Sequence, residues 1–384
     1  MAIGLKFFKN SEINCEQAVK IFKNKKKNIA FLDVRDRKTY VKNFAFGSVN
    51  CPLDQLKLTI NDLVPDKSTF LIIIGNTKKN TKILSSILYK KQFTNFHFIK
   101  NGYKDWLRKK LPTWGGEFTL SKAFGEWIEK VGKIKNIYPK QLHKLHLIKK
   151  NSFLQIDARP KNEYEKFTIP LSKHCSGGEL PAYLNINKSK KTLVVHCAGR
   201  TRSIIAYQTL LDFNFNNKKY VLNGGTQNWV LNGLNRINSS KSDLNKNKLN
   251  FKKDMILAKK IIKKFRLPTC NQAPNYNIKK SYSFIVQSEM IKNKDNFIWK
   301  KVNATTLIQS TDRFIAASSS KIYIYSDIPT SAVFAVIWLN RMGYKAIWHK
   351  KKPIKKQKKE FYKKNILYPT YFFPKRHLGK KKDS

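Results

Sequence analysis

The residue types best suited to covalent chemistry gather around Cys197. It stands in the run Thr192 to Leu211, TLVVHCAGRTRSIIAYQTLL. The apolar and largely β-branched Leu193-Val194-Val195 predicts a strand covered on both faces. After Ser203 the apolar residues Ile204, Ile205, Tyr207, Leu210 and Leu211 recur at helical spacing, with Ser203 placed to cap the first turn. A polar loop, Cys197 to Arg202, therefore joins a strand end to a helix start. The N-terminus of the helix offers unpaired amide donors and roughly half a positive charge. Arg200 and Arg202 add full charges, and a tight turn can close as an anion-binding nest. Each effect favours thiolate over thiol, and thiols so placed fall from about 8.5 into the range of about 3.5 to 7.5. The expected outcome is a nucleophilic sulfur facing an anionic partner, provided that solvent can reach it.

Loop length narrows the chemistry. Four residues, Ala198, Gly199, Arg200 and Thr201, separate Cys197 from Arg202. Tyrosine-phosphatase-like cradles have one residue more, which suits a tetrahedral phosphate. HCAGRTRSII, followed by NGGTQNW at Asn223 to Trp229, resembles the loop of the rhodanese family of sulfurtransferases. The run Ser121 to Trp127, SKAFGEW, is similar to a connector of large multi-domain bacterial rhodaneses. The resemblance implies that the Cys197 thiolate attacks the outer sulfur of thiosulfate or a similar small anionic donor. A persulfide cradled by loop N–H groups then passes its sulfur to cyanide or a thiol. Ala198, Gly199, Arg200, Thr201, Arg202 and Ser203 would line the substrate site, with the arginines orienting the donor and stabilising the leaving sulfite. Gly199 would let the loop turn with its amides inward. Either arginine could instead tie to Glu179 or Asp212.

By the same resemblance, Asp157 and Arg159 are structural support. No cofactor or metal is expected: His143 and His146 sit three apart on a helix, but no Cys or carboxylate cluster joins them. Strand alternation points His196 away from Cys197, toward packing. Cys175, beside His174, reads as incidental, with a resolving thiol as the alternative. TIPLSKHCSGGEL stands where a GHIPGA-like stretch is usual in the family.

The elements that position this loop recur along the chain. A first unit has a helix over 12–22 and strands over 28–34, 69–74 and 95–99. It carries Asp33-Val34-Arg35, Gly75, Asn101-Gly102 and Trp106 in order. The second repeats the order with Asp157-Ala158-Arg159, Cys197, Asn223-Gly224 and Trp229. Asp33 to Trp106 is 73 residues and Asp157 to Trp229 is 72, so the unit is a repeat. A third copy keeps the spacing, Ile285 to Asp327 being 42 residues, with Asp327 at the place of Cys197. Strands alternating with helices predict an α/β fold of tandem rhodanese-like domains, each a mainly parallel sheet with helices on both faces. The expected division is 10–116, a connector 117–139, an active domain 140–236, a linker 237–280 with one helix, a degenerate domain 281–350 and a basic tail 351–384.

Composition sets the outer bounds. The chain has 384 residues, 77 Lys and Arg against 24 acidic residues, and a net charge of +53. Only 11 of the bases are Arg, and the lysines are scattered through the chain without forming one patch. That pattern reads as compositional drift, so nucleic acid is not the expected partner. Cys15, Cys51, Cys175, Cys197 and Cys270 are odd in number and contain no C-x-x-C pair, which does not make a disulfide framework. With no run of membrane-spanning length and no leader-like N-terminus, the expected location is the cytoplasm. A carrier or scaffold that holds a persulfide without turnover is the second reading, and phosphatase or arsenate reductase chemistry a weaker third.

Overall fold

The computed structural model describes residues 12–24, 27–76, 80–149, 151–187, 190–238, 249–271, 280–288 and 299–353. The basic tail therefore lies almost wholly outside the described residues, as do parts of the linker. The first unit contains β1 (Glu12–Ile13), β2 (Ile29–Asp33), β3 (Phe44–Ala45), β4 (Val49–Asn50), β5 (Phe70–Ile74), β6 (Phe96–Ile99) and β7 (Thr113–Trp114). The second contains β8 (Asn136–Ile137), β9 (Phe153–Asp157), β10 (Ser172–His174), β11 (Thr192–His196) and β12 (Lys219–Leu222). The third contains β13 (Thr269–Cys270), β14 (Tyr282–Gln287), β15 (Lys300–Asn303), β16 (Lys321–Tyr325) and β17 (Lys345–His349).

Three five-stranded parallel sheets result, ordered β1-β6-β5-β2-β4, β8-β12-β11-β9-β10 and β13-β17-β16-β14-β15. Counted along the chain within each unit, all three share one order. β3 and β7 form a separate antiparallel ribbon. The central strands are buried along nearly their whole length, as the runs IAFLD, FLIII and TLVVH require of strands with helices on both faces.

Several details differ from the sequence reading: β8 and β13 lie in the expected connector 117–139 and linker 237–280, yet they pair into the second and third sheets. Helix Thr201–Asp212 opens two residues earlier than expected, with Arg200 at its N-cap, so Ser203 lies inside the first turn. The Ser203 hydroxyl donates back to the Arg200 carbonyl at 3.1 Å, a bond within the turn that leaves the cap position to Arg200. In the third unit, Ile285 pairs with Tyr325 as Asp33 pairs with Ile74 and Asp157 with His196. Ser326, not Asp327, therefore follows the strand as Cys197 does. Its hydroxyl donates to the Val286 carbonyl and accepts from the Ile328 N–H.

One apolar cluster joins all three sheets, with Leu32 and Ile73 from the first, Ile204 and Tyr207 from the second, and Phe284 and Trp338 from the third. Helix Pro329–Arg341 lies at its centre. It is buried from Pro329 through Leu339, as a segment apolar all round must be. Trp338 Nε1–H donates to Thr209 Oγ1 at 2.8 Å, and Arg341 pairs with Asp212 at 2.5 Å. The third unit thus holds the helix that starts at the Cys197 loop. It also grips the preceding loop: Gly178 N–H donates to Thr305 Oγ1 at 3.2 Å, and the Ser331 hydroxyl donates to the Gly178 carbonyl at 2.9 Å. The first and third units meet at an Ala30–Ala317 antiparallel bridge. There the buried Tyr282 hydroxyl donates to the Leu63 carbonyl and accepts from Ala316 and Ala317 N–H.

Candidate active site

Cys197 follows β11 directly and is followed by three loop residues before the helix begins. Thr226 N–H donates to the Cys197 carbonyl at 2.8 Å, and Gln227 N–H to the Ala198 carbonyl at 2.9 Å. A trans peptide places each carbonyl opposite the next N–H, so the Ala198 and Gly199 amides point away from that contact. Among the described residues, the N–H groups of Ala198, Gly199 and Arg200 have no protein acceptor. With the uncapped first turn behind them, they form a run of donors suited to an anion or a sulfur carrying negative charge.

The turn that permits this contact lies at Gly224 and Gly225, with φ of +64° and +56°. A Cβ on Gly225 would lie 2.2 Å from the Cys197 carbonyl oxygen. Gly102 of the first unit repeats the arrangement, its Cβ position lying 2.0 Å from the Gly75 oxygen. Gly199 is not at positive φ. What a side chain would meet there is the Gln227 side-chain amide, 3.2 Å away.

Cys197 Sγ lies 3.3 Å from Ser203 Oγ, whose single hydrogen is directed to the Arg200 carbonyl. In this arrangement Ser203 accepts from the thiol, and a thiolate would draw the hydroxyl hydrogen toward itself. Cys197 retains 1% of its accessible surface, and Ser203 none. The open mouth expected of a nucleophile is therefore absent: the loop is closed over the sulfur.

Both arginines are engaged by carboxylates, neither of them Glu179 or Asp212. Arg202, 5% exposed, makes a two-armed pair with Glu163 at 2.5 and 3.0 Å. Burial would lower its pKa, but Glu163, Cys197 and Asp157 together raise it. Arg200 reaches outward to Glu126 on the connector helix Thr119–Val131. Thr201 is pressed by the same helix, since a Cβ on Gly125 would lie 2.8 Å from its Cγ2.

Asp157 and Arg159 form a buried fork of three hydrogen bonds, and Arg159 also donates to the Phe167 carbonyl. Burial alone would raise the Asp157 carboxyl, but His196, Arg159 and the Thr168 hydroxyl hold it below its usual range. Asp33 and Arg35 repeat the fork in the first unit, with Asn43 in place of Phe167. His196 points away from the sulfur. Its Nε2 meets Ser172 Oγ at 2.8 Å, its buried Nδ1 has no hydrogen-bond partner among the described residues, and burial lowers its pKa to about 4. His146 bonds Gln155 and stacks on Phe153, while His143 packs on Trp229. Cys175 lies in an apolar cluster with Ile156 and Leu180. All five cysteines are free, and burial pushes the Cys51 thiol up to about 12.

In the first unit, Gly75 stands where Cys197 stands in the second, and a cavity of about 430 Å³ opens beside it, bordered by Arg35, Asp54, Asn76 and Asn101. Glu126, Glu163 and Gln227 did not emerge from sequence reasoning. With 24 acidic residues among 77 basic ones, carboxylates near a two-arginine loop were the signal available.

The family model of the rhodanese-like domain matches residues 16–109 and 139–232, the first two units. Those two segments are rhodanese-like domains standing in tandem, and together they make up just under half of the chain. A crystal structure of a thiosulfate sulfurtransferase from Pseudomonas aeruginosa superposes with a TM-score of 0.80 at 20% identity, over 88% of this chain. This chain spans 66% of that protein's length, a little under two thirds. A rhodanese with anions from E. coli aligns at 26% identity over 23% of this chain and 98% of its own, with a TM-score of 0.20. No curated protein sequence matches. No helix among the described residues is long and apolar enough to cross a membrane.

Proposed function

We propose that the protein is a sulfurtransferase working through a Cys197 persulfide. The thiolate attacks the outer sulfur of thiosulfate or a similar donor, forming Cys–S–S⁻ and releasing sulfite. Cyanide or a thiol then takes the outer sulfur and returns the thiolate, a two-step covalent cycle. The observation that carries this reading is that Cys197 follows β11 at the head of a loop whose Ala198, Gly199 and Arg200 N–H groups have no acceptor among the described residues, inside a rhodanese-like domain. Five free thiols suit a reducing compartment such as the cytoplasm. The first unit, with Gly75, and the third, with Ser326, serve as support; we take the third as a diverged copy because it keeps the strand order.

A closed loop over Cys197 must open for turnover, and this favours a second reading: a persulfide carrier that opens only for a partner protein. Thiosulfate followed by mass spectrometry tests both. The expected result is one added sulfur on the peptide containing Cys197, none after Cys197→Ala, and repeated thiocyanate formation with cyanide. Loading without turnover selects the carrier, and loading retained in Cys197→Ala rejects the site.

A further inference from the structure

We infer that Glu126 of the connector helix is a specificity-determining residue, competing with the anionic donor for Arg200. The inference rests on the sulfur-transfer reading of Cys197. Two arginines belong to the loop that follows Cys197, but their side chains are held very differently. The Arg202 side chain is 4% exposed and makes two bonds to Glu163, so redirecting it would leave a buried charge unpaired. The Arg200 side chain is 66% exposed and Glu126 50%, a pair that water and salt already weaken. Arg200 is therefore the cation of the loop that an incoming anion can capture.

The position of Glu126 is set by packing. Its neighbour Gly125 lets the connector backbone settle against Thr201, where a Cβ would lie 3.1 Å from the Thr201 Cα. Glu126 is thereby fixed beside the loop, and it lies outside both segments matched by the family model. A negative donor meets a carboxylate that must release Arg200 before the full charge of the loop is available, whereas a neutral reagent meets no such requirement. Glu126 thus lowers the affinity of the loop for anions.

Alkylation of Cys197 by iodoacetate and by neutral iodoacetamide measures this directly in the full chain, without turnover. The readout is the ratio of the two rate constants on the peptide containing Cys197. Glu126→Gln is expected to raise the iodoacetate-to-iodoacetamide ratio about two- to five-fold, the range an exposed ion pair commands, with the gain lost in about 1 M salt. In an Arg200→Gln background the same change should leave the ratio unaltered. An unchanged ratio in Glu126→Gln, with both reagents still reacting, overturns the inference and leaves the sulfur-transfer reading intact. An equal rise with and without Arg200 also overturns it, since Glu126 would then act by direct repulsion. If neither reagent labels Cys197 in either protein, the nucleophile reading fails and the inference with it.

Discussion

At the scale of single residues, the site depends on charges held without water. Glu163→Ala leaves Arg202 buried and unpaired. The expected loss is about 2 kcal/mol, below the value for a fully buried pair because the Glu163 side chain is 26% exposed. Urea denaturation of the variant measures it, and a loss near zero would mean that water already screens the pair. His196 gives a pH signature. Its folded pKa of about 4 lies below the ordinary 6.5, so the unfolded chain takes up the proton first. The stability of the neutral ring is fully present above about pH 6.5 and drains away as the pH falls toward 4. Burial lowers His146 and His349 as well, with the same sign. The urea midpoint should fall across that window, and fall less steeply in His196→Gln, which can still bond Ser172. Equal slopes would assign the acid sensitivity elsewhere.

At the scale of elements, two glycines show how the loop is aimed. Gly225→Ala forces a Cβ to 2.2 Å from the Cys197 oxygen at a φ of +56°, so neither space nor backbone accepts it. The variant should lose most Cys197 labelling even where circular dichroism shows it folded. Gly125→Ala would gain helix propensity of about 1 kcal/mol. The contact with Thr201, however, is to its backbone and branched carbon, which cannot swing aside. A net loss of about 1–3 kcal/mol is expected, and a gain in melting temperature would refute the contact.

Much of this scaffold was legible in the chain. Apolar runs such as TLVVH announced buried strands, and the matching Asp33–Trp106 and Asp157–Trp229 intervals announced the repeat. What stayed hidden was relational. Nothing local to Arg202 points to Glu163, 39 positions away. Nothing local to Arg200 points to Glu126, 74 away. Ser203 suggests a cap by type, yet its hydroxyl turns back to the Arg200 carbonyl. The one-residue slip at Ser326 came from counting positions where strand pairing sets the register.

At the scale of the molecule, one continuous core should make the three units unfold together. A single urea transition, coincident by fluorescence and circular dichroism, is expected despite the modular sequence. Trp338→Ala should shift it by about 3–5 kcal/mol, because the ring belongs to the shared cluster and its N–H is bonded to Thr209. Separate transitions would show that the units are coupled only loosely.

The weld between Leu63 and Tyr282 spans 219 positions, and that between Asn28 and Ser320 spans 292. A ribosome that has finished the first sheet must synthesise most of the remaining protein before this sheet meets its partner. Until then Ala30 and the Leu63 carbonyl wait unanswered at the margin of a half-made molecule. Birth, rather than maturity, is when this chain is most exposed to aggregation and proteolysis.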